Sequence, residues 1–210
     1  MSDVLIIGIC GKMGSGKDYV CNNVIIPILQ NLGLPYLHVS LADQIKVNVM
    51  TKQCISFSDV YERKTDTTRT LLQMEGTELG RNVFGKDIWI NYLQNWIRVY
   101  SSRGIKVFIC TDIRFQNELD WVTRCNGITI RVKAPYRNIS RLLEESCYNM
   151  NTFMRLKSHI SECDLDTVND SKFDFVIYNE VTSKTDQMLF DNDLFKYEVK
   201  KRIGAKDVRI

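Results

Sequence analysis

Gly11-Lys12-Met13-Gly14-Ser15-Gly16-Lys17-Asp18 is the stretch from which the rest of the chain can be read. Before it runs Val4-Leu5-Ile6-Ile7-Gly8-Ile9-Cys10, apolar and rich in β-branched residues, which predicts a buried parallel strand. After it, Val20, Val24, Ile25, Ile28 and Leu29 recur at helical spacing. A glycine loop between such a strand and such a helix is the setting of a Walker A phosphate-binding loop, with Gly11 and Gly16 at the required separation and Lys17 next. Backbone N–H groups can wrap a phosphate only where side chains are absent. The helix N-terminus adds partial positive charge, and Lys17 supplies a point charge for the outer phosphates. The pattern asks for Ser or Thr after the lysine, and here Asp18 stands there. A carboxylate can hold magnesium, which prefers oxygen ligands and keeps several waters. It can equally cap or charge the first helical turn, and the residue alone leaves both roles open.

The chain has 210 residues, room for one α/β domain with a modest insertion. Its 44% hydrophobic and 25% charged content is that of a soluble globular protein. A net charge of +3 is too slight for a nucleic-acid binder, which needs a strong basic stripe. The basic tail from Lys200-Lys201-Arg202 to Lys206 reads as a solvated helix end. No secretory signal and no membrane-spanning run is present. The seven cysteines are odd in number, scattered and without a Cys-x-x-Cys pair, so reduced thiols in a cytoplasmic setting are expected.

Further along, Pro27 predicts a kink or end of the first helix near Ile26. Residues 36–40 read as a second strand, with His38 packing among apolar neighbours, and residues 41–46 as a loop entering a helix. Residues 51–64 read as mobile. Leu71, Leu72 and Met74 suit a short helix that Gly76 and Gly80 break. Asp87 suits an N-cap for a helix carrying Trp89, Tyr92, Leu93, Trp96, Ile97 and Tyr100 on a mostly core-facing stripe. Residues 105–111 form a third buried strand ending in Asp112. Arg114 and Glu118 follow, where open α/β sheets bind ligands. These three serve either a ligand or a local ion pair. Residues 128–132 and 173–179 read as the fourth and fifth strands, and a helix from about Thr185 closes the chain. Between them, a helix after Pro135 carries Arg137 and Arg141 on one face, as a lid over phosphates or as a solvated surface. The order predicts an α/β fold with about five parallel strands and helices on both faces.

Several motifs now join the loop: Leu72-Gln73 with Gly76-Thr77-Glu78 and Arg81, Phe84-Gly85-Lys86-Asp87 with Trp89, Thr111-Asp112-Ile113-Arg114-Phe115 with Asn117-Glu118, His159 with Ser161-Glu162, and Phe173-Asp174 with Asn179. With Gly14-Ser15-Gly16-Lys17-Asp18, they make most of the chain resemble the bacteriophage-type deoxynucleoside monophosphate kinases, of the P-loop nucleoside monophosphate kinase superfamily. Asp18 after the lysine is a habit of that family. The resemblance implies one P-loop kinase domain over residues 1–210, with a monophosphate acceptor-binding region at about 42–103 and a helical lid at about 135–165. It implies ATP at Gly11, Lys12, Gly14, Ser15, Gly16, Lys17 and Asp18, and Mg2+ at Asp18. It implies the acceptor deoxynucleotide at Arg69, Gln73, Gly76, Thr77, Arg81, Trp89, Asp112, Arg114 and Glu118. Lys17, Arg114, Arg137 and Arg141 become the catalytic charges, and a homodimer is implied.

The chemistry agrees with that reading. Phosphoryl transfer needs positioning and charge neutralisation. A phosphate acceptor, with its second pKa of about 6, needs no general base. Asp112 then orients a magnesium-bound water or an arginine, and Trp89 stacks on or walls the base. The alternative is a phosphomevalonate kinase-like acceptor, since the animal-type enzymes share Gly-Lys-Asp and a stretch like Ser161-Glu162-Cys163-Asp164-Leu165-Asp166. A GTP switch would need Asn-Lys-x-Asp and an Asp-x-x-Gly after the third strand, and the chain has neither.

Overall fold

The six residues of Leu5–Cys10 (β1) are all buried, as a strand covered on both faces must be. In this computed structural model, which describes residues 4–63, 65–180 and 190–204, β1 is the middle of a five-stranded sheet. The others are β2 (Tyr36–Val39), β3 (Val107–Ile113), β4 (Ile128–Lys133) and β5 (Phe175–Tyr178), in the order β2-β3-β1-β4-β5. β1 pairs in parallel with β3 and β4, and β4 with β5, so the carboxyl ends of the central strands share one edge. The expected α/β fold and parallel sheet are present.

The chain divides into two compact units, Met1–His38 with Gly104–Ile210, and Val39–Arg103. In the first, Leu5, Ile7 and Ile9 face Val20, Ile25, Leu29, Phe195 and Val199 across a continuous core. On the other face Gly8 lies under Val122, where a β-carbon would come 2.8 Å from the valine methyl. Val122 belongs to the helix Gln116–Arg124, so helices cover both faces. The helix after the glycine loop (α1) runs through Lys17–Val20, a π-helical turn at Cys21–Ile25, and Ile26–Asn31. Pro27 therefore does not end it. The wider turn lies directly before the proline, where the missing N–H interrupts the ladder, and the helix resumes to Asn31. The expected helix start at Thr185 and the tail residue Lys206 lie outside the described residues, and the closing helix spans Asn192–Ile203.

The second unit is helical and corrects several expectations. Helix α2 (Leu41–Gln53) begins where a loop was expected, because the Ser40 hydroxyl caps it by accepting the Ala42 N–H at 3.1 Å. Residues 51–64 include helix α3 (Phe57–Tyr61), anchored by fully buried Val60 and capped by Ser56. Helix α4 runs unbroken through Asp66–Gln73, a π-helical stretch Met74–Arg81, and Asn82–Phe84. Gly76 and Gly80 lie inside it as contact points. The Gly76 carbonyl accepts the Trp89 indole N–H at 2.8 Å, and a β-carbon at Gly80 would collide with the Trp89 ring. Helix α5 (Ile88–Ser101) buries Trp89, Ile90, Leu93 and Ile97, while Tyr92 and Trp96 are exposed, so the aromatic stripe is only partly core.

Candidate active site

The loop from Gly11 to Gly16 carries β1 into α1. Gly14 and Gly16 take φ of +76° and +83°, left-handed values that glycine adopts without penalty. Lys17 opens α1 and turns inward, its ammonium donating to the carbonyls of Gly11 at 2.8 Å and Lys12 at 3.1 Å. Burial, and then the like charge of Arg114, pull its pKa down to about 8 against the opposing pull of Glu162 and Asp18. Ser15 is fully buried, and its hydroxyl has no hydrogen-bond partner inside the curl. A spare donor in a glycine loop at a helix N-terminus fits the phosphate oxygens of ATP.

A helix is seated directly on this loop. It spans Pro135–Glu145. Arg137 donates to the Ser15 carbonyl at 2.9 Å, joined there by Asn179 from the end of β5 at 3.0 Å. Asn138 donates to the Met13 carbonyl. A β-carbon at Gly14 would stand 2.7 Å from that of Arg141, which pairs with Glu144 at 3.3 Å and Glu145 at 2.6 Å. Both lid arginines named from sequence thus lie at the loop, Arg137 bracing its backbone. Lys12 pairs with Asp166 at 2.7 Å.

At the end of β3, the Thr111 hydroxyl donates to Asp18 Oδ1 at 3.0 Å and lies 3.0 Å from His38 Nε2. A hydroxyl has one proton, and an ionised carboxylate only accepts, so His38 must be the donor to Thr111. His38 is therefore no packing residue: its side chain is exposed and points along this chain of bonds. Asp18 Oδ2 has no protein partner among the described residues. These residues form no cluster of three or more His, Cys, Asp or Glu able to cage a metal. A single oriented carboxylate beside a phosphate loop fits magnesium, which takes the rest of its shell from water and phosphate. Asp112 faces the other way, as alternate strand residues do, and its Oδ1 accepts from the Cys110 thiol at 3.0 Å.

Glu118 is buried, and one oxygen accepts the N–H groups of Arg114 at 2.8 Å and Phe115 at 3.0 Å. It caps the turn that presents Arg114. The Arg114 side chain pairs with Glu162, whose second oxygen accepts the Met13 N–H at 2.9 Å. A cavity of about 480 Å³ opens here, lined by Gly11, Lys12, Arg114, Asn138, Leu142 and Glu162 among others. The structure thus gathers Lys17, Asp18, Arg114 and Arg137 around one loop. Asn138 had no signal in the sequence, and Asn179, named there with Phe173-Asp174, braces the loop.

In the second unit, Arg69, Gln73, Thr77 and Arg81 recur every four residues along α4, on a side that is partly or fully exposed. Gly76 lies buried beside them, and Trp89 is only 2% exposed, its ring packed against Gly80. Glu75, unmarked by sequence, is buried and held by Lys52 at 2.7 and 2.9 Å and by Asn48 at 2.8 Å.

No protein-family model matches the chain. A protein of Acanthamoeba polyphaga mimivirus named "Putative deoxynucleotide monophosphate kinase" is 26% identical over 151 residues, 63% of this chain and 75% of that protein. Among solved structures, TT1252 from Thermus thermophilus superposes with a TM-score of 0.49 at 19% identity, covering 98% of this chain and 99% of that one. A shikimate kinase from Acinetobacter baumannii gives 0.43 at 13%, covering 99% and 97%. The chain thus carries a glycine phosphate-binding loop at the head of a five-stranded parallel sheet, and over 151 residues it is similar to that mimivirus protein.

Proposed function

We propose that the protein transfers the γ-phosphoryl group of ATP to a deoxynucleoside monophosphate, giving the diphosphate and ADP. The observation that carries the acceptor is the row Arg69, Gln73, Thr77 and Arg81 on the accessible side of α4. A guanidinium group suits a phosphate, and a carboxamide one turn along the same helix can offer both donor and acceptor to a base edge. The name of the mimivirus relative supports the same reading. The Val39–Arg103 unit is then the acceptor-binding region, with buried Trp89 holding Gly76 and Gly80 in place behind it.

On the donor side, the loop amides and the Ser15 hydroxyl receive the phosphates of ATP. Lys17 and Arg114 stabilise charge on the group in transit. Asp18, oriented by Thr111, would hold Mg2+, which neutralises phosphate charge when bound. No described helix is long and apolar enough to cross a membrane. Seven free thiols agree with a cytoplasmic setting. The test is ADP release from ATP and magnesium with each deoxynucleoside monophosphate in turn and with phosphomevalonate. Turnover with a deoxynucleotide is expected, and turnover with phosphomevalonate alone would replace this acceptor by the other.

A further inference from the structure

We propose that Glu162 is a positioning residue for phosphoryl transfer: it holds the Arg114 guanidinium against the crest of the phosphate loop, on the side of the γ-phosphate. The assignment rests on the kinase reading only so far as ATP binds at the loop. Glu162 lies on the short helix Ile160–Cys163, whose first turn is fixed by His159, with Nδ1 2.7 Å from the Ser161 hydroxyl. The Glu162 side chain is only 6% exposed. One oxygen accepts the Met13 N–H at 2.9 Å, and the other pairs with Arg114 Nη1. A carboxylate is buried only where both its charge and its lone pairs are met, and these two partners meet them.

Arg114 is held at both ends. Glu118 fixes its backbone N–H at 2.8 Å, and Glu162 fixes its guanidinium. An ordinary arginine at a strand end has a long side chain with many rotamers, and two buried carboxylates spent on one such residue select a single placement. That placement is at the loop: the carboxylate that holds Arg114 also accepts the N–H of loop residue Met13. Arg114 Nη2 makes no hydrogen bond among the described residues, which leaves one edge of the planar fork for a phosphate oxygen. The ion pair also keeps the Glu162 carboxylate from repelling that phosphate.

The test is the preference of the protein for a triphosphate over a diphosphate. Calorimetric Kd values for AMPPNP and ADP, with magnesium, would be measured for the wild type, Glu162→Gln, Glu162→Asp, Arg114→Ala and the double variant Glu162→Gln/Arg114→Ala. Arg114→Ala should cut the preference for AMPPNP roughly tenfold, as loss of one charged hydrogen-bond donor does. Glu162→Gln should cut it by a similar factor, and Glu162→Asp likewise, because the shorter carboxylate keeps its charge but cannot span both partners. The double variant should be no worse than Arg114→Ala, since Glu162 acts only through Arg114. Losses that multiply, an unchanged ratio in Glu162→Gln, or tighter AMPPNP binding in that variant would overturn the proposal. Tighter binding is what a carboxylate merely occupying the phosphate's place would give. These ratios need no acceptor. A chain inactive on every deoxynucleotide but showing them would sink the acceptor reading and leave the Glu162 assignment standing.

Discussion

On the proposed kinase reading Lys17 is the first residue to test, and its contacts define what its loss should do. Its ammonium ties the carbonyls of Gly11 and Lys12 together, so Lys17→Met leaves two loop carbonyls without that donor. The stability cost should be modest, about 1–2 kcal/mol, readable as a small drop in Tm. Turnover should fall by roughly 10²–10³, the usual loss when one charge partner of the transferring group is removed. A folded Lys17→Met variant with near-normal turnover would contradict the loop assignment. Asp18 admits a sharper test through Thr111, whose single hydroxyl proton is given to Asp18 Oδ1. Thr111→Val should leave the carboxylate free to rotate and raise the magnesium concentration needed for half-maximal ATP binding, while Thr111→Ser should restore it. If Asp18 only charged the first turn of α1, Asp18→Ala would instead lower stability by about 1 kcal/mol, with the magnesium titration unmoved.

Elements were legible in the sequence where their signal is local. The strands are continuous β-branched runs, and residues such as Ile7 and Ile109 have no place but a core. The start of α2 and the unbroken course of α4 were not legible, for different reasons. In the first case a single serine, Ser40, at the end of a strand-like run is the whole signal for the cap. In the second, Gly80 looks like a helix breaker but is demanded by an indole from another helix, and Gly76 sits tightly against Ile45. Gly80→Ala should therefore destabilise the Val39–Arg103 unit by about 1–3 kcal/mol through overpacking, and Trp89→Phe by about 1 kcal/mol through the lost bond to Gly76. Urea unfolding followed by tryptophan fluorescence reads the first, and circular dichroism the second. In the sheet unit, Asp174 joins β4 to the closing helix. It accepts the Thr129 N–H at 2.8 Å and hydroxyl at 3.0 Å, and pairs with Arg202. Burial pushes its carboxyl up, but Arg202 and Thr129 outweigh that and hold it below the ordinary 3.8. Its stabilising contribution is therefore complete above that ordinary value and is lost as pH falls through the lower folded one. Asp174→Asn should be less stable at neutral pH and should narrow its gap from the wild type on acidification, as measured by Tm against pH.

At the scale of the whole chain, the donor site is written twice, once locally and once at long range. The eight-residue loop is contiguous and was readable as it stands. Its braces are not: Asn138, Glu162 and Asn179 reach Met13 and Ser15 across 125, 149 and 164 residues of sequence. Asn138 carries no local pattern at all, and Glu162 and Asn179 stand in motifs that do not say what they touch, so only the fold reveals these contacts. The row proposed to read the acceptor lies in the other compact unit, Val39–Arg103, and shares no residue with the loop. If the Arg69–Gln73–Thr77–Arg81 row reads a nucleotide, Gln73→Ala removes the group that meets the base and leaves the phosphate arginines in place. The KM for the deoxynucleotide should then rise by roughly tenfold, the worth of about 1–2 hydrogen bonds to a base edge. The KM for ATP should stay within twofold or so, because no loop residue is touched. Arg81→Ala should raise the same acceptor KM and lower kcat too, since a misplaced acceptor phosphate no longer lines up with the γ-phosphate. Initial rates with each substrate varied at saturating levels of the other separate these effects. Equal shifts in both KM values for Gln73→Ala would mean that the row supports the fold and does not read the base.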